Sequence, residues 1–299
     1  MGNVEYDEFG LFHENAEEFG LPFDAPPVVR REFVETRPGH RLSALVWGTT
    51  EPELVLLHGG GGHAETYSRN MTRLAKVCQP HAIDFIWHGM SSRPAFSDGA
   101  PRAKENWLTQ FTDQLLNLMD HMGIEKAVVE GESLGGWIAA DLATKIPERI
   151  NRLALIAPMG VKLGSEEQLD IPDLFVARPE AVERMTFADP QKARLDYASM
   201  TDEELGRIAR DRETHTLLVW EPYMHSAKLR HRLHRLRMPS LFLRGAQDGV
   251  VSADYLSGYA GLAPDARVET IPAAGHLPQF EQAEATASII ESFLTRAGA

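Results

Sequence analysis

Gly131-Glu132-Ser133-Leu134-Gly135 fits the pattern G-x-S-x-G, and its setting gives the pattern meaning. The apolar run Ala127-Val128-Val129-Glu130 leads directly into Gly131, and a helical pattern opens directly after Ser133. A strand that turns sharply into a helix presents a serine hydroxyl openly, provided that its neighbours lack a Cβ. Gly131, Gly135 and Gly136 meet that condition. A serine hydroxyl is a weak nucleophile until a base takes its proton, and the base needs an acid to orient it. Two late loops offer both. Leu241-Phe242-Leu243 is followed by Arg244-Gly245-Ala246-Gln247-Asp248, and Val268-Glu269-Thr270-Ile271 by Pro272-Ala273-Ala274-Gly275-His276. His276 is the only histidine beyond residue 234, and the order Ser133, Asp248, His276 is that of one triad class. The expected chemistry is attack by Ser133 on an electrophilic carbonyl, with His276 moving the proton and Asp248 fixing the imidazole tautomer. Negative charge that develops on the carbonyl oxygen needs backbone donors. Leu57-His58-Gly59-Gly60-Gly61-Gly62 ends a strand in four glycines, so the oxyanion hole is assigned to the N–H groups of Gly60 and Leu134, with Gly61 as the alternative to Gly60. No metal or organic cofactor is required by this chemistry. Trp87, His63 and Trp220 are the candidate substrate contacts, and His88 also stands near the loop ends.

The elements that must position these groups alternate between strand and helix. Residues 28–34 and 42–47 read as two strands joined through Arg37-Pro38-Gly39-His40. Residues 54–57, 82–85, 127–130, 153–156, 241–243 and 268–271 are short apolar runs, the pattern of strands buried on both faces. Trp107, Leu108, Phe111, Leu115, Leu118, Met119 and Met122 recur at helical spacing up to Gly123. Residues 134–146 form a second helix stopped by Pro147, and residues 280–294 a terminal one. The pattern predicts an α/β fold with a mostly parallel sheet flanked by helices, built from residues 28–160 and 237–299. Residues 161–236 carry no strand pattern and read as an inserted helical cap, with helices over 179–184, 189–199, 202–215 and 226–236. Residues 1–27 hold seven acids and no Lys or Arg. They form an N-terminal arm, packed on the body or frayed, with a lid or dimer arm as the alternative.

Composition removes several function classes. The 299 residues carry 30 Lys+Arg against 43 Asp+Glu, a net charge of −13 that repels a phosphate backbone, so no nucleic acid partner is expected. Cys78 is the single cysteine, which allows neither an intrachain disulfide nor a cysteine zinc site. His231 and His234 lack a nearby carboxylate, so zinc is not expected there. Residues 228–237 carry five basic side chains, but Leu229, Leu233 and Leu236 share a helical spacing, the mark of a buried stripe with solvated arginines. The first residues have no basic, apolar leader pattern, and no apolar stretch reaches the ~20 residues that span a bilayer. The expectation is a soluble, cytoplasmic protein acting on a small molecule, with no membrane partner. A homodimer is compatible with the sequence.

The His58-Gly59 turn, the elbow around Ser133, Gly245-x-x-Asp248 and Gly275-His276-x-Pro278-x-x-Glu281 together resemble α/β-hydrolase-fold proteins over about residues 30–160 and 237–299. The resemblance implies a capped serine hydrolase whose cap sets substrate choice. Ser133, Asp248, His276, Gly60 and Leu134 all lie outside roughly residues 165–232, so exchanging that segment is expected to change the substrates accepted without losing small activated esters. It excludes the aspartate-nucleophile branch, because Ser133 holds that position. The first reading is a carboxylic ester or lactone with apolar groups. The alternative is a C–C bond hydrolase of a ring-cleavage (meta-cleavage) diketone. Those enzymes usually place Asn where Glu132 stands and often Trp where Leu277 stands. They also need a cap arginine, for which Arg178, Arg184 and Arg194 are available. A third reading is a ligand receptor with an intact triad and slow turnover. Where relatives read D-x-x-G-x-G-x-S, this chain has Asp84-Phe85-Ile86-Trp87-His88-Gly89-Met90-Ser91, so Trp87 either lines the pocket or packs under the loop. Glu132 is either a titrating group or a hydrogen-bond partner behind the nucleophile.

Overall fold

Leu54, Val55, Leu56 and Leu57 are all buried in succession, which requires that both faces of their strand be covered. The computed structural model describes residues 29–94, 107–193 and 197–296. The arm over residues 1–27 and Arg194 lie outside them. The strands are β1 (Val29–Arg37), β2 (His40–Trp47), β3 (Glu53–Leu57), β4 (Gln79–Asp84), β5 (Ala127–Glu132), β6 (Ile150–Ile156), β7 (Ser240–Gly245) and β8 (Ala266–Ile271). They form one eight-stranded sheet in the order β1-β2-β4-β3-β5-β6-β7-β8. β2 pairs antiparallel with both β1 and β4, and every pairing from β4 to β8 is parallel.

The helices are α1 (Ser68–Leu74), α2 (Trp107–His121), α3 (Leu134–Lys145), α4 (Pro179–Thr186), α5 (Asp202–Val219), α6 (Ala253–Ala260) and α7 (Ala283–Thr295), with single turns at Pro190–Ala193 and Pro278–Glu281. One face of the sheet sends Leu54, Leu56, Val128 and Leu241 against Met71 and Leu74 of α1 and Ile290 and Phe293 of α7. The opposite face sends Val55, Leu57, Val129 and Phe242 into a larger cluster with Phe111 and Leu115 of α2, Ile138 and Leu142 of α3, and Leu256 and Tyr259 of α6. Each such leucine or isoleucine contributes about 1.5–3 kcal/mol by leaving water. Helix α3 is buried from Leu134 to Thr144, as its apolar, small-residue sequence requires.

Between β6 and β7 the described chain adds no strand to the sheet; only an isolated bridge joins Gly160 to His225. The sequence reading needs correction at several elements, among them the helix read over 189–199, of which a turn at Pro190–Ala193 is helical and residues 197–199 are a turn. Residues 226–236 hold a 3-10 helix, Arg230–Arg235, in place of an α-helix, and Leu229, Leu233 and Leu236 are still buried. The helix read over 202–215 continues to Val219. The terminal helix read over 280–294 breaks at Gln282. Helices α1 and α6 had no counterpart in the sequence reading. No helix among the described residues is long and apolar enough to cross a membrane.

Candidate active site

The four chemistry-bearing loops leave the carboxyl ends of parallel strands, where open α/β sheets place their ligands. Ser133 follows β5, the glycine run follows the adjacent β3, and Asp248 and His276 follow β7 and β8. Ser133 has φ 52°, a left-handed conformation that a non-glycine residue holds only when its surroundings enforce it. The enforcement is visible. Its N–H donates to Ile156 O at 2.8 Å. A Cβ at Gly131 would overlap Gly135 O, and one at Gly135 would overlap Leu57 O. The elbow therefore lies flat against the end of β3.

His276 Nε2 stands 3.0 Å from Ser133 Oγ, and its Nδ1 lies 3.1 and 3.2 Å from the two carboxylate oxygens of Asp248. Asp248 accepts only, so Nδ1 carries the proton and Nε2 is left as acceptor for the serine hydroxyl. The carboxylate is itself fixed: Oδ1 accepts from the N–H groups of Val250 and Val251 at 2.8 and 2.9 Å. Arg244 braces the loop through the carbonyls of Asp248 and Val251. Burial alone would lower the His276 pKa, but Asp248 and then Glu132 outweigh it and hold the imidazole above its ordinary value.

The helical segment before β7 grips both loops. Gly249 N–H donates to Met185 O at 2.8 Å, and His276 N–H to Thr186 O at 2.6 Å. Glu281 closes this arrangement, accepting from Gly275 N–H at 2.6 Å and from the N–H groups of Ala188 and Asp189 at 2.9 and 3.1 Å. The Gly275-His276-x-Pro278-x-x-Glu281 motif thus has a mechanical reason.

Leu134 is the first residue of α3, so its N–H has no partner within the helix and points out of the helix N-terminus. Gly60 lies under the ring of His215 from α5, closely enough that a Cβ on Gly60 would overlap it. Burial, with His276 and His58 beside it, lowers His215 to about 4, so the ring is neutral at pH 7. His58 is buried as well and lowered to about 4. Its Nε2 accepts from Phe85 N–H at 3.2 Å and its Nδ1 donates to Gly59 O at 2.8 Å, tying the glycine run to the end of β4.

Three expected substrate contacts are placed otherwise. Trp87 is 2% exposed, packs on Phe111, and donates its indole N–H to Pro94 O at 2.9 Å. Of the two alternatives, it packs under the loop. His63 faces Glu65 at 3.3 Å and Asp211 at 3.8 Å, in an ionic group that also holds Asp84, Arg31 and Arg207. Trp220 is 54% exposed and stacks on Phe175. His215, with Phe175 beside it at 6.0 Å, is the aromatic group that sequence reasoning missed. Nothing in its helical surroundings distinguishes it; only the tertiary fold brings it over Gly60.

Residues 54–289 match the alpha/beta hydrolase family. The chain belongs to that family. Among curated proteins it is similar to the dihydrolipoyllysine-residue acetyltransferase component of the acetoin cleaving system of Pseudomonas putida, 29% identical over 264 residues and 81% of this chain. The chain spans 63% of that relative's length. Its fold is similar to the 2-hydroxy-6-oxo-6-phenylhexa-2,4-dienoate hydrolase of Rhodococcus sp. strain RHA1, with TM-score 0.73 and 25% identity, covering 90% of this chain and 100% of the other. It is also similar to a carboxylesterase from Bacillus subtilis, with TM-score 0.67 and 20% identity over 96% of each chain.

Proposed function

We propose that this chain is a serine hydrolase of carboxylic esters or lactones with apolar groups. The observation that carries the reading is the row Ser133 Oγ, His276 Nε2, His276 Nδ1 and Asp248, each step at hydrogen-bond distance around a strained nucleophile. Ser133 Oγ attacks the carbonyl carbon as its proton passes to Nε2. The N–H groups of Gly60 and Leu134 hold the oxyanion. The tetrahedral adduct collapses, and the leaving alcohol takes the proton from Nε2. Water then attacks the acyl-enzyme by the same route, freeing the acid and restoring Ser133. Residues 161–236 act as the cap, with His215 and Phe175 on the substrate side. A small-molecule substrate is the only partner this chemistry needs.

The likeness to a ring-cleavage hydrolase favours a second reading, C–C bond hydrolysis of a diketone. Two features weigh toward the ester. Arg178 and Arg184, which would serve a substrate carboxylate, are exposed. Glu132 places a carboxyl beside the base. A triad-bearing receptor would share this geometry but turn over slowly. The experiment is a panel of p-nitrophenyl esters, lactones and meta-cleavage diketones with wild type and Ser133→Ala. Turnover of esters or lactones that Ser133→Ala abolishes supports the reading. Preferential turnover of the diketones, or no turnover at all, overturns it.

A further inference from the structure

Glu132 is 3% exposed and directs its carboxyl at the same His276 nitrogen that faces the nucleophile: Oε1 lies 3.6 Å from Nε2, against 3.0 Å for Ser133 Oγ. Its carboxyl also accepts the backbone N–H of Gly59, where a Cβ would overlap its other oxygen, so it is wedged between the base and the oxyanion loop. A proton-shuttling nitrogen thus has a carboxyl neighbour that proton transfer itself does not use.

Among the described residues no compensating cation other than His276 faces Glu132. The groups that face Glu132 are His276, Asp248 and Tyr67, and Tyr67 donates its hydroxyl to Leu57 O at 2.8 Å. Arg244, next to His276, is spent on backbone carbonyls. Arg93 pairs with Asp211, Arg207 lies 3.9 Å from Glu65, and Arg212 donates to Tyr197. His58 and His215 are neutral at pH 7, as their burial requires. Two carboxyls and neutral imidazoles therefore set the field around the reacting carbonyl.

We propose that Glu132 is a charge-selecting and positioning residue, which steadies the imidazolium of His276 and rejects esters that carry a negative charge near the scissile carbonyl. The proposal rests on the serine ester hydrolase reading above. The substrate class narrows to neutral or cationic esters and lactones. Burial, opposed by His276 and the Gly59 N–H and reinforced by Asp248, pushes the Glu132 carboxyl up to about 7, so selection strengthens as pH rises through neutrality. Turnover requires neutral His276 for every ester, so the ratio between two esters at one pH cancels the titration of the base.

The test measures kcat/KM between pH 5.5 and 8.5 for p-nitrophenyl valerate and the p-nitrophenyl hemiester of succinic acid, with wild type, Glu132→Gln and Ser133→Ala. In wild type the neutral-to-anionic ratio is expected to rise about tenfold or more across that range, the size of one close charge–charge repulsion in a partly shielded site. In Glu132→Gln the ratio is expected to stay flat. The expected loss of kcat with the neutral ester is larger than the change in KM, because imidazolium stabilisation is a transition-state effect. A flat ratio in wild type overturns the proposal even if Glu132→Gln fails to fold, and so does an unchanged slope in a folded Glu132→Gln. Esters that wild type does not cleave, or that Ser133→Ala still cleaves, overturn the hydrolase reading instead.

Discussion

The carbonyl of Thr186 accepts the backbone N–H of His276 at 2.6 Å, so the helical segment before β7 shares a hydrogen bond with the residue assigned as base. The neighbouring Met185 carbonyl does the same for Gly249, beside Asp248. His276 is buried, and a buried N–H that loses such a partner costs about 1–3 kcal/mol. Because the chemical groups lie outside it, the segment over roughly residues 165–232 was expected to be exchangeable without losing small activated esters. These bonds divide it. Replacing residues 185–189 by a Gly-Ser linker is expected to lower kcat on a small activated ester by about tenfold, since a cost of that order spans the 1.4 kcal/mol of one decade. Exchanging other parts of 161–236 is expected to alter only the substrate ranking. Steady-state kinetics of the two kinds of variant decides the matter; equal effects would contradict it.

Asp248 and Asp84 are both buried acids, but they serve different ends. Asp248→Asn is expected to reduce kcat by about 10⁴-fold, the loss known when an amide leaves a triad histidine in the wrong tautomer. Asp84 instead accepts from the N–H groups of Ala64 and Met90 at 2.7 and 3.0 Å and pairs with Arg31 at 3.2 Å. Asp84→Asn is expected to cost about 1–3 kcal/mol of stability with kcat held within about tenfold. Denaturant unfolding and kinetics on the same preparations separate the two. Similar catalytic losses would mean that the acid is misassigned.

The inner strands were legible because burial on both faces leaves a sequence mark, as at Leu54-Val55-Leu56-Leu57, whereas the edge strands β1 and β8 are exposed at alternate positions and Val268, read as part of a doubly buried run, is 43% exposed. The elbow was legible because close backbone contact demands glycine at 131 and 135. Other features leave no such mark. Leu229, Leu233 and Leu236 are buried whether their segment is α or 3-10, so spacing alone could not distinguish the two. The break at Gln282 follows from Glu281 being drawn to Gly275 and Ala188, a tertiary demand that local helical periodicity does not record. The seat of His215 on Gly60 is of the same kind.

That seat gives a coupling prediction. Gly60→Ala places a methyl where the His215 ring lies, so it is expected to lift α5 and to lower both stability and kcat/KM. His215→Ala removes the obstacle. In the double variant, part of the Gly60→Ala stability loss is expected to return, a coupling of about 0.5–3 kcal/mol for residues in contact. Additive effects in thermal or urea unfolding would show that α5 does not rest on the glycine loop.

Glu130 carries a pH prediction for the fold. Its carboxyl is buried in β5, one side-chain oxygen has no hydrogen-bond partner among the described residues, and burial pushes its pKa up to about 8. The folded state therefore holds a proton that the unfolded chain, near 4.3, releases earlier. Between about pH 4.5 and 8 this group makes stability fall as pH rises, by up to about 1.4 kcal/mol per unit. Raised Glu132 and His276 act in the same direction, while lowered His58 and His215 act oppositely below pH 6.5. The difference between wild type and Glu130→Gln isolates the one residue. Urea unfolding at pH 5.5 and 7.5 is expected to show a steeper decline in wild type; parallel declines would refute a buried neutral Glu130.

The most direct test of the central claim is intact-mass measurement after treatment with an alkyl fluorophosphonate. An activated Ser133 forms an Oγ–P bond and expels fluoride, with His276 taking the hydroxyl proton. Wild type is expected to gain the mass of a single phosphonyl group, located at Ser133 by peptide mass. His276→Ala is expected to react far more slowly, and Ser133→Ala not at all. No adduct on folded wild type, or one that persists in Ser133→Ala, would contradict the account.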